Sequence, residues 1–245
     1  MNNEQEILNK VRRLLDLHRA GILGGEKMPE DENPGLLRDS AENALYFTLP
    51  MALNYQRDSY KLWAAANRMW ADGATRGAFD PAAALRMTDE DLRGRLTKYG
   101  VALQPNKHIE IWRTISGTFA RQNILDFFAS HNFDAGKIKE YIAAHKKDFP
   151  YLSGPKIVNY WLYVMGNYTN LPFIGREHIT IAPDTHVIQA SARLGLITPE
   201  MSVAADIRGH VAGAWARLLS GTGILPIDVH TPLWLWSRGG FVVDV

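Results

Sequence analysis

Apolar residues recur every three or four positions along most of the chain, which is the spacing of one buried face on an α-helix. The pattern is clearest over residues 4–20, 59–70 and 202–219. It predicts shorter helices, in chain order, over residues 36–47, 51–55, 82–85, 89–98, 107–116, 123–130, 134–145 and 157–168. Only residues 179–182 and 241–243 suggest short extended segments. We therefore predict an all-α fold.

A polar segment rich in glycine and proline interrupts the helices near the N-terminus. Residues 24–35 are GGEKMPEDENPG, a composition typical of a loop and a candidate for disorder. We place a domain boundary after this segment. Residues 1–39 would form an N-terminal helix and flexible loop, and residues 40–245 would form the main domain. This length allows one large domain or two small ones that share a cleft.

Two short motifs, one ending at Lys156 and one containing Asp184, each describe a turn that opens a helix. In the first, LSGPK, Gly154 permits a sharp turn. Pro155 suits the first helical position, because its missing N–H has no intrahelical partner there. In the second, PDTH, the aspartate is a helix N-cap whose carboxylate lies near the positive end of the helix dipole. The sequence thus places a lysine and an aspartate each at the start of a helix.

Lys156 is in an unfavourable place for a charged ammonium group. The helix dipole disfavours its positive charge, and burial would lower its pKa further. The following helix is apolar on nearly all sides, so that burial is plausible and the neutral amine would be a nucleophile. The alternative is a solvated lysine after a turn, which is the ordinary situation of a lysine.

Together the two motifs resemble the signature of the helix-hairpin-helix DNA glycosylases. In that superfamily a hairpin of the form L-x-G-x-G-x-K precedes a [V/P]-D-T-H loop at a helix start. The chain is most similar to the archaeal 8-oxoguanine DNA glycosylases, which have a short, degenerate hairpin. The resemblance covers roughly residues 44–244 and is most specific at PDTHVIQASARLGL, residues 183–196. The hairpin here lacks the second glycine of the usual pattern.

The resemblance implies an all-α fold of two interleaved helical subdomains, with a DNA-binding cleft and the helix-hairpin-helix motif between them. It also implies removal of an oxidised purine, 8-oxoguanine first, from damaged double-stranded DNA without a cofactor. Lys156 would attack the sugar and form a Schiff base that allows strand cleavage by β-elimination. Asp184 would stabilise the developing positive charge and help to move protons. Helix-entrance amides, with Ser153 and Gly154 among them, would hold a phosphate.

A second stretch, MALNYQRD, resembles the L-S-x-Q-x-T-D segment of the same superfamily. There a glutamine or asparagine fills the hole left in the duplex when the damaged nucleotide swings out. By position Gln56 takes that role here. A planar amide carries donors and acceptors that suit the orphaned partner base. The alternative is a glutamine at a helix end in water.

The C-terminal stretch PIDVHTPLWLWSRGG resembles the terminal helix that walls the base pocket in the archaeal enzymes. By position Trp234 matches the tryptophan that stacks on the base. The acidic position that reads the base edge falls on His230, and Asp228 lies two residues earlier. Trp63 is a candidate for the opposite wall of a base sandwich. The alternative for the tryptophans is core packing, which we expect for one of Trp234 and Trp236.

Composition and charge leave this function open. The 245 residues carry 27 Lys+Arg and 26 Asp+Glu, a net charge of +1, so that DNA binding would need a local basic patch. The absence of cysteine excludes disulfides and a cysteine-ligated iron–sulfur cluster. No membrane span, signal peptide or metal site is apparent. We expect a cytoplasmic, nucleoid-associated monomer.

Several alternatives stay open at this stage. The chain could be a glycosylase for another damaged base, or a helix-hairpin-helix DNA-binding protein without catalysis. If the motif match is fortuitous, it could be an all-α protein with a small-molecule pocket between tryptophan-rich helices. For Asp184, the alternative to a catalytic role is a helix cap alone.

Overall fold

The computed structural model describes residues 3–23, 28–198, 200–201 and 205–245. Over these residues the regular structure consists of thirteen α-helices and short 3-10 turns, without a β-strand. The two segments suggested as extended therefore do not pair as strands. The all-α class predicted from the sequence is confirmed. Parts of the predicted loop at 24–35 and of the predicted helix at 202–219 lie outside the described residues.

The chain separates into two compact units, which we call unit 1 and unit 2. Unit 1 comprises Met1–Glu26 and Glu177–Val245, and unit 2 comprises Lys27–Arg176. This division differs from the predicted boundary after residue 39. The N-terminal helix buries Ile7 and Val11 and packs with the two C-terminal helices, so that it belongs to a unit built from both ends of the chain.

Unit 1 contains four of the described helices. They are α1 (Asn3–Arg19), α11 (Thr185–Arg193), α12 (Ile207–Leu219) and α13 (His230–Arg238). The core of this unit includes Trp215, whose indole N–H donates to Ser191 Oγ at 2.9 Å. Helix α11 packs along α13, and α1 packs against α12 and α13.

Unit 2 contains nine of the described helices. They are α2 (Ala41–Thr48), α3 (Ser59–Ala71), α4 (Gly73–Arg76), α5 (Pro81–Arg86), α6 (Asp89–Lys98), α7 (Pro105–Arg121), α8 (Ile124–Ser130), α9 (Ala135–Ala144) and α10 (Pro155–Tyr168). Its core is aromatic. Trp161 donates to Thr48 Oγ1 at 2.9 Å and Trp112 donates to Ala78 O at 2.8 Å, so that both buried indoles are satisfied.

Helix caps explain where several helices begin. Thr88 Oγ1 accepts the Asp91 amide at 3.1 Å, and α6 has the bounds that the sequence predicted. Asp80 accepts two amides at the start of α5, as the Asp-Pro pair predicted. The predicted helix at 36–47 begins later, because Ser40 accepts the Asn43 amide at 3.1 Å and caps α2 there.

Two other predicted helices have different lengths. The predicted helix at 107–116 continues as far as Arg121, because its buried face extends to Phe119. The predicted helix at 51–55 is reduced to a 3-10 turn, Met51–Leu53, which ends at Asn54. Other 3-10 turns cover Pro29–Asp31, Gly77–Phe79, Arg176–His178 and Pro226–Val229. None of the helices in the described part of the chain is long and apolar enough to cross a membrane.

Candidate active site

The hairpin predicted around Lys156 lies between α9 and α10 in unit 2. Leu152 is completely buried and anchors the turn, Gly154 is the N-cap of α10, and Pro155 takes the first helical position as predicted. Lys156 follows in the first turn, but it is exposed. The expected burial of Lys156 is therefore wrong, because the apolar face of α10 begins one residue later, at Ile157. If this amine is a nucleophile, its activation would have to come from the helix terminus rather than from burial.

The backbone amides of the hairpin are engaged within the hairpin itself. Ser153 N donates to Phe149 O at 2.9 Å, and Gly154 N donates to Tyr151 O at 3.0 Å. The Leu152 amide is also used inside the turn. In this conformation these amides are not available to a phosphate. A phosphate at the hairpin would have to be held by side chains or by later amides of the α10 terminus.

Gln56 lies in the loop that joins the 3-10 turn Met51–Leu53 to α3. It is exposed, and its backbone φ is +49°, in the left-handed region that residues other than glycine seldom adopt. Arg57 donates to Val101 O at 2.7 Å, and Asp58 caps α3. Because the residues after it are fixed in this way, the loop presents Gln56 at the surface on a constrained backbone.

An aromatic stack joins the Gln56 loop to the hairpin. The rings of Tyr55 and Tyr151 are nearly parallel, at an interplanar angle of 10°, and their centres are 4.2 Å apart. Tyr55 precedes Gln56, and Tyr151 lies in the hairpin shortly before Gly154. The structure therefore brings together two segments that were assigned to DNA binding from separate motifs. Pairing between residues so far apart in the chain has no signature in the sequence.

A buried glutamate in unit 2 was not predicted. Glu30 is 1% exposed, and its Oε2 accepts the Tyr160 hydroxyl at 3.0 Å. Burial raises the pKa of Glu30 to about 7, against the opposing effect of hydrogen bonds from its own backbone and from Tyr160. Next to it Asp31 Oδ1 accepts the Tyr168 hydroxyl at 2.7 Å. These bonds hold the turn that precedes α2 against α10.

Trp63 lies in the core of unit 2. It is 0% exposed, and its ring contacts the rings of Tyr46 and Phe47, with centres 5.8 Å and 5.5 Å away. Such a ring offers no face to a ligand. Its predicted role as a wall of the base pocket does not fit this position, and the packing interpretation does. A helical apolar face gives no means of distinguishing a core tryptophan from a pocket tryptophan.

In unit 1, Asp184 caps α11. Its Oδ1 accepts the Val187 amide at 3.0 Å, and its backbone carbonyl accepts the Ile188 amide at 2.9 Å. The predicted N-cap is confirmed. The bond from Val187 fixes the direction of the carboxylate at the positive end of the helix. Because Asp184 is only half-buried, part of it stays accessible.

Helix α13 places Trp234 against the start of α11. Trp234 is 8% exposed and meets the His186 ring edge-on, with ring centres 5.5 Å apart. Ser237 Oγ donates to Gln189 Oε1 at 3.0 Å and therefore accepts from His186 Nδ1 at 3.1 Å. The guanidinium carbon of Arg238 is 5.2 Å from the Trp234 ring centre. His186 thus packs and bonds locally, and it orients this tryptophan.

The other pocket candidates on this side differ in accessibility. His230 is 3% exposed in the first turn of α13, and Asp228 is half-buried in the preceding 3-10 turn. Trp236 donates to Val243 O at 2.7 Å and meets the Phe241 ring edge-on. Trp236 therefore packs in the core and fastens the C-terminal tail, and Trp234 is buried to a similar degree.

The predicted residues divide between the two units. Unit 2 holds Gln56, Trp63, Ser153, Gly154 and Lys156, and unit 1 holds Asp184, Asp228, His230 and Trp234. No protein-family model matches the chain, and no curated protein matches it significantly. Function is therefore inferred from the motifs and from the local geometry in each unit.

Proposed function

We propose that the protein is a base-excision-repair DNA glycosylase with lyase activity, which removes an oxidised purine from duplex DNA. 8-Oxoguanine is the first base to test. The observation that carries the proposal is the Tyr55–Tyr151 stack, which holds Gln56 beside the hairpin that bears Lys156. When a nucleotide flips out of the duplex, the gap that it leaves and the sugar that the nucleophile attacks are parts of the same position in the strand. A gap-filling side chain therefore has to lie near the nucleophile.

Lys156 is the proposed nucleophile. Its neutral Nζ forms a bond to C1′ of the sugar while the C1′–N bond to the base breaks, and the base leaves after taking up a proton. Opening of the sugar ring gives a Schiff base. Loss of a C2′ proton then expels the 3′ phosphate, which cleaves the strand by β-elimination. The position of Lys156 in the first turn of α10 supports this role, because the helix terminus disfavours the protonated amine.

Asp184 is the proposed electrostatic partner. The developing charge on the sugar is positive, and a carboxylate that is already oriented stabilises it without reorganisation. The hydrogen bond from the Val187 amide fixes Oδ1 of Asp184 in that orientation. The same carboxylate can accept and return the proton that moves during attack and ring opening.

Substitutions at Asp184 separate chemistry from capping. Asparagine and aspartate cap helices about equally well, whereas alanine loses about 1 kcal/mol of stability. We expect Asp184→Asn to melt like the wild type but to excise 8-oxoguanine at least about 100-fold more slowly. Single-turnover release of the base from a lesion duplex measures the rate, and a fluorescence-anisotropy titration measures binding.

Asp134→Asn is the matched control, because Asp134 caps α9 through the Gly136 amide at 2.8 Å. It should leave excision unchanged. Excision by Asp184→Asn at the wild-type rate would mean that Asp184 is a helix cap alone. A wild-type protein that binds the duplex and releases no base from a panel of oxidised and alkylated lesions would instead be a non-catalytic DNA-binding protein.

A further inference from the structure

The exposed end of the tyrosine stack, Tyr55 with Tyr151, has no role in the chemistry described above. Tyr151 is 37% exposed although its ring is stacked on Tyr55. Aromatic rings that are held at a surface with one face open are platforms for other planar rings. The residues around the open face of Tyr151 therefore indicate which kind of ligand it binds.

Lys107 lies beside the stack rather than on its open face. Its Nζ is 4.6 Å from the centre of the Tyr151 ring and 5.3 Å from that of Tyr55. An ammonium on the outer face of Tyr151 would be separated from Tyr55 by the whole Tyr151 ring and would lie much farther away. Hydrogen bonds with the hydroxyls of Tyr151 and Tyr55 raise the pKa of Lys107, which keeps the cation charged at the rim.

The stack is fixed from behind by His108. The Leu103 amide donates to His108 Nδ1 at 3.1 Å, so that the ring proton lies on Nε2, which donates to the Tyr55 hydroxyl at 3.0 Å. Burial, with the charges of Arg57 and Lys107, lowers the pKa of His108 to about 4, and the ring stays neutral at physiological pH. Tyr55 is thus held in one orientation before any ligand arrives.

Backbone strain occurs at two points beside the stack. Gln56 has φ +49° and Tyr151 has φ +60°, and neither residue is glycine. Left-handed residues of this kind persist only where the surroundings enforce them, and they are frequent at binding sites. Here the stack and the loop anchors enforce them, which indicates a preorganised surface rather than a loop that adapts to its ligand.

We propose that the open face of Tyr151 is a second nucleobase site, which stacks the base left unpaired when the damaged nucleotide leaves the duplex, while Lys107 pairs with an adjacent phosphate. This inference rests on the proposed function and deepens it, because it names a residue that contacts the orphaned base next to Gln56. A nucleobase fits because every base offers a flat π-face, and the rim cation suits the phosphate that always accompanies it.

The test uses a duplex with a stable tetrahydrofuran abasic site opposite 2-aminopurine, whose fluorescence falls when it stacks. Wild-type protein should quench the probe. Tyr151→Leu should leave it bright and bind this duplex about fivefold or more weakly. Tyr151→Phe keeps the ring and should quench like the wild type, which assigns the effect to the aromatic face. A thermal melt of Tyr151→Leu like that of the wild type excludes misfolding as the cause of the leucine result. Lys107→Gln should reduce the salt slope of binding by about one.

Tyr99→Leu is the matched control, because Tyr99 is also a tyrosine of unit 2 with a lysine beside it, Lys98, whose Nζ is 5.4 Å from its ring centre. It should quench the probe like the wild type. Equal quenching by Tyr151→Leu and the wild type would overturn the site. If the same wild-type preparation excises 8-oxoguanine, the proposed function would survive that result. Failure of the wild type both to bind and to excise would overturn both.

Discussion

Glu30 shows how one buried residue ties stability to pH in this protein. Its carboxyl group is buried against α10 and holds the turn before α2 through the Tyr160 hydroxyl. Its pKa is about 7 in the folded protein, compared with an ordinary value of 4.5. The folded state therefore keeps a proton on Glu30 at pH values where the unfolded chain has lost it, and folding becomes less favourable as the pH rises from 4.5 to 7.

Glu30→Gln should remove this pH dependence. The difference between a pKa of 4.5 and one of about 7 corresponds to about 3 kcal/mol of unfolding free energy. The wild type should lose this amount relative to the variant as the pH rises from 4.5 to 7. The lowered pKa of His108 acts in the opposite direction, so the quantity to measure is the difference in unfolding free energy between variant and wild type. Urea titrations at pH 4.5, 6 and 8 measure it.

The control for Glu30→Gln is Glu110→Gln, because Glu110 is an exposed residue of α7. Its stability should follow that of the wild type at every pH. A constant difference between Glu30→Gln and the wild type from pH 4.5 to 8 would show that Glu30 is ionised throughout or not buried. No pattern in the sequence predicts this residue, because the segment around it has the composition of a loop.

At the scale of the elements, Gly154 is a position where the hairpin tolerates no side chain without adjustment. A Cβ at Gly154 would lie 3.1 Å from Tyr151 O. Gly154→Ala should therefore displace Tyr151, which carries both the turn and the stack. We expect a loss of stability of about 1 kcal/mol and weaker binding of abasic duplex.

Gly94→Ala is the control for Gly154→Ala. Gly94 lies within α6, and a Cβ there meets nothing within 4 Å. Alanine at that position should stabilise the protein by about 1 kcal/mol, since glycine is a poor helix former. Thermal melts should therefore show a loss of stability in Gly154→Ala and a gain in Gly94→Ala. Anisotropy titrations should show weaker DNA binding in Gly154→Ala than in Gly94→Ala. Unchanged DNA affinity in Gly154→Ala would argue against a role of the hairpin in binding.

Local chemistry made most of the elements predictable. Capping residues such as Thr88 and Asp184 define helix starts through one side-chain bond each, which is visible in the sequence. Contacts across long stretches of chain were not predictable. The stack of Tyr55 on Tyr151, the burial of Glu30 and the burial of Trp63 depend on which helices meet, and residue spacing carries no information on that. The burial expected for Lys156 failed for a local reason, because the buried face of α10 begins one residue later.

At the scale of the whole molecule, each unit carries part of the proposed chemistry. Unit 2 supplies the Gln56 loop, the stack and Lys156, and unit 1 supplies Asp184 and the helix that carries Trp234. Unit 1 is built from the two ends of the chain, so that α1 supports the same unit as the C-terminal helix α13. Deletion of residues 1–26 would therefore remove part of the fold of unit 1. Experiments should use the full chain.

Lys156 distinguishes a glycosylase that also cleaves the strand from one that uses water and leaves the abasic site intact. The most direct measurement is borohydride trapping of the full-length protein on a duplex that contains 8-oxoguanine. Reduction converts a Schiff base into a stable covalent adduct, which a denaturing gel resolves. Lys137→Gln is the matched control, because Lys137 is another exposed lysine in the first turn of a helix, α9.

We expect an adduct with the wild type and with Lys137→Gln, and none with Lys156→Gln. An adduct with abasic DNA but not with the 8-oxoguanine duplex would support the lysine nucleophile and show that the enzyme removes a different base. Trapping that persists in Lys156→Gln would show that another amine is the nucleophile. The absence of any adduct with wild-type protein on both duplexes would contradict the proposed lyase.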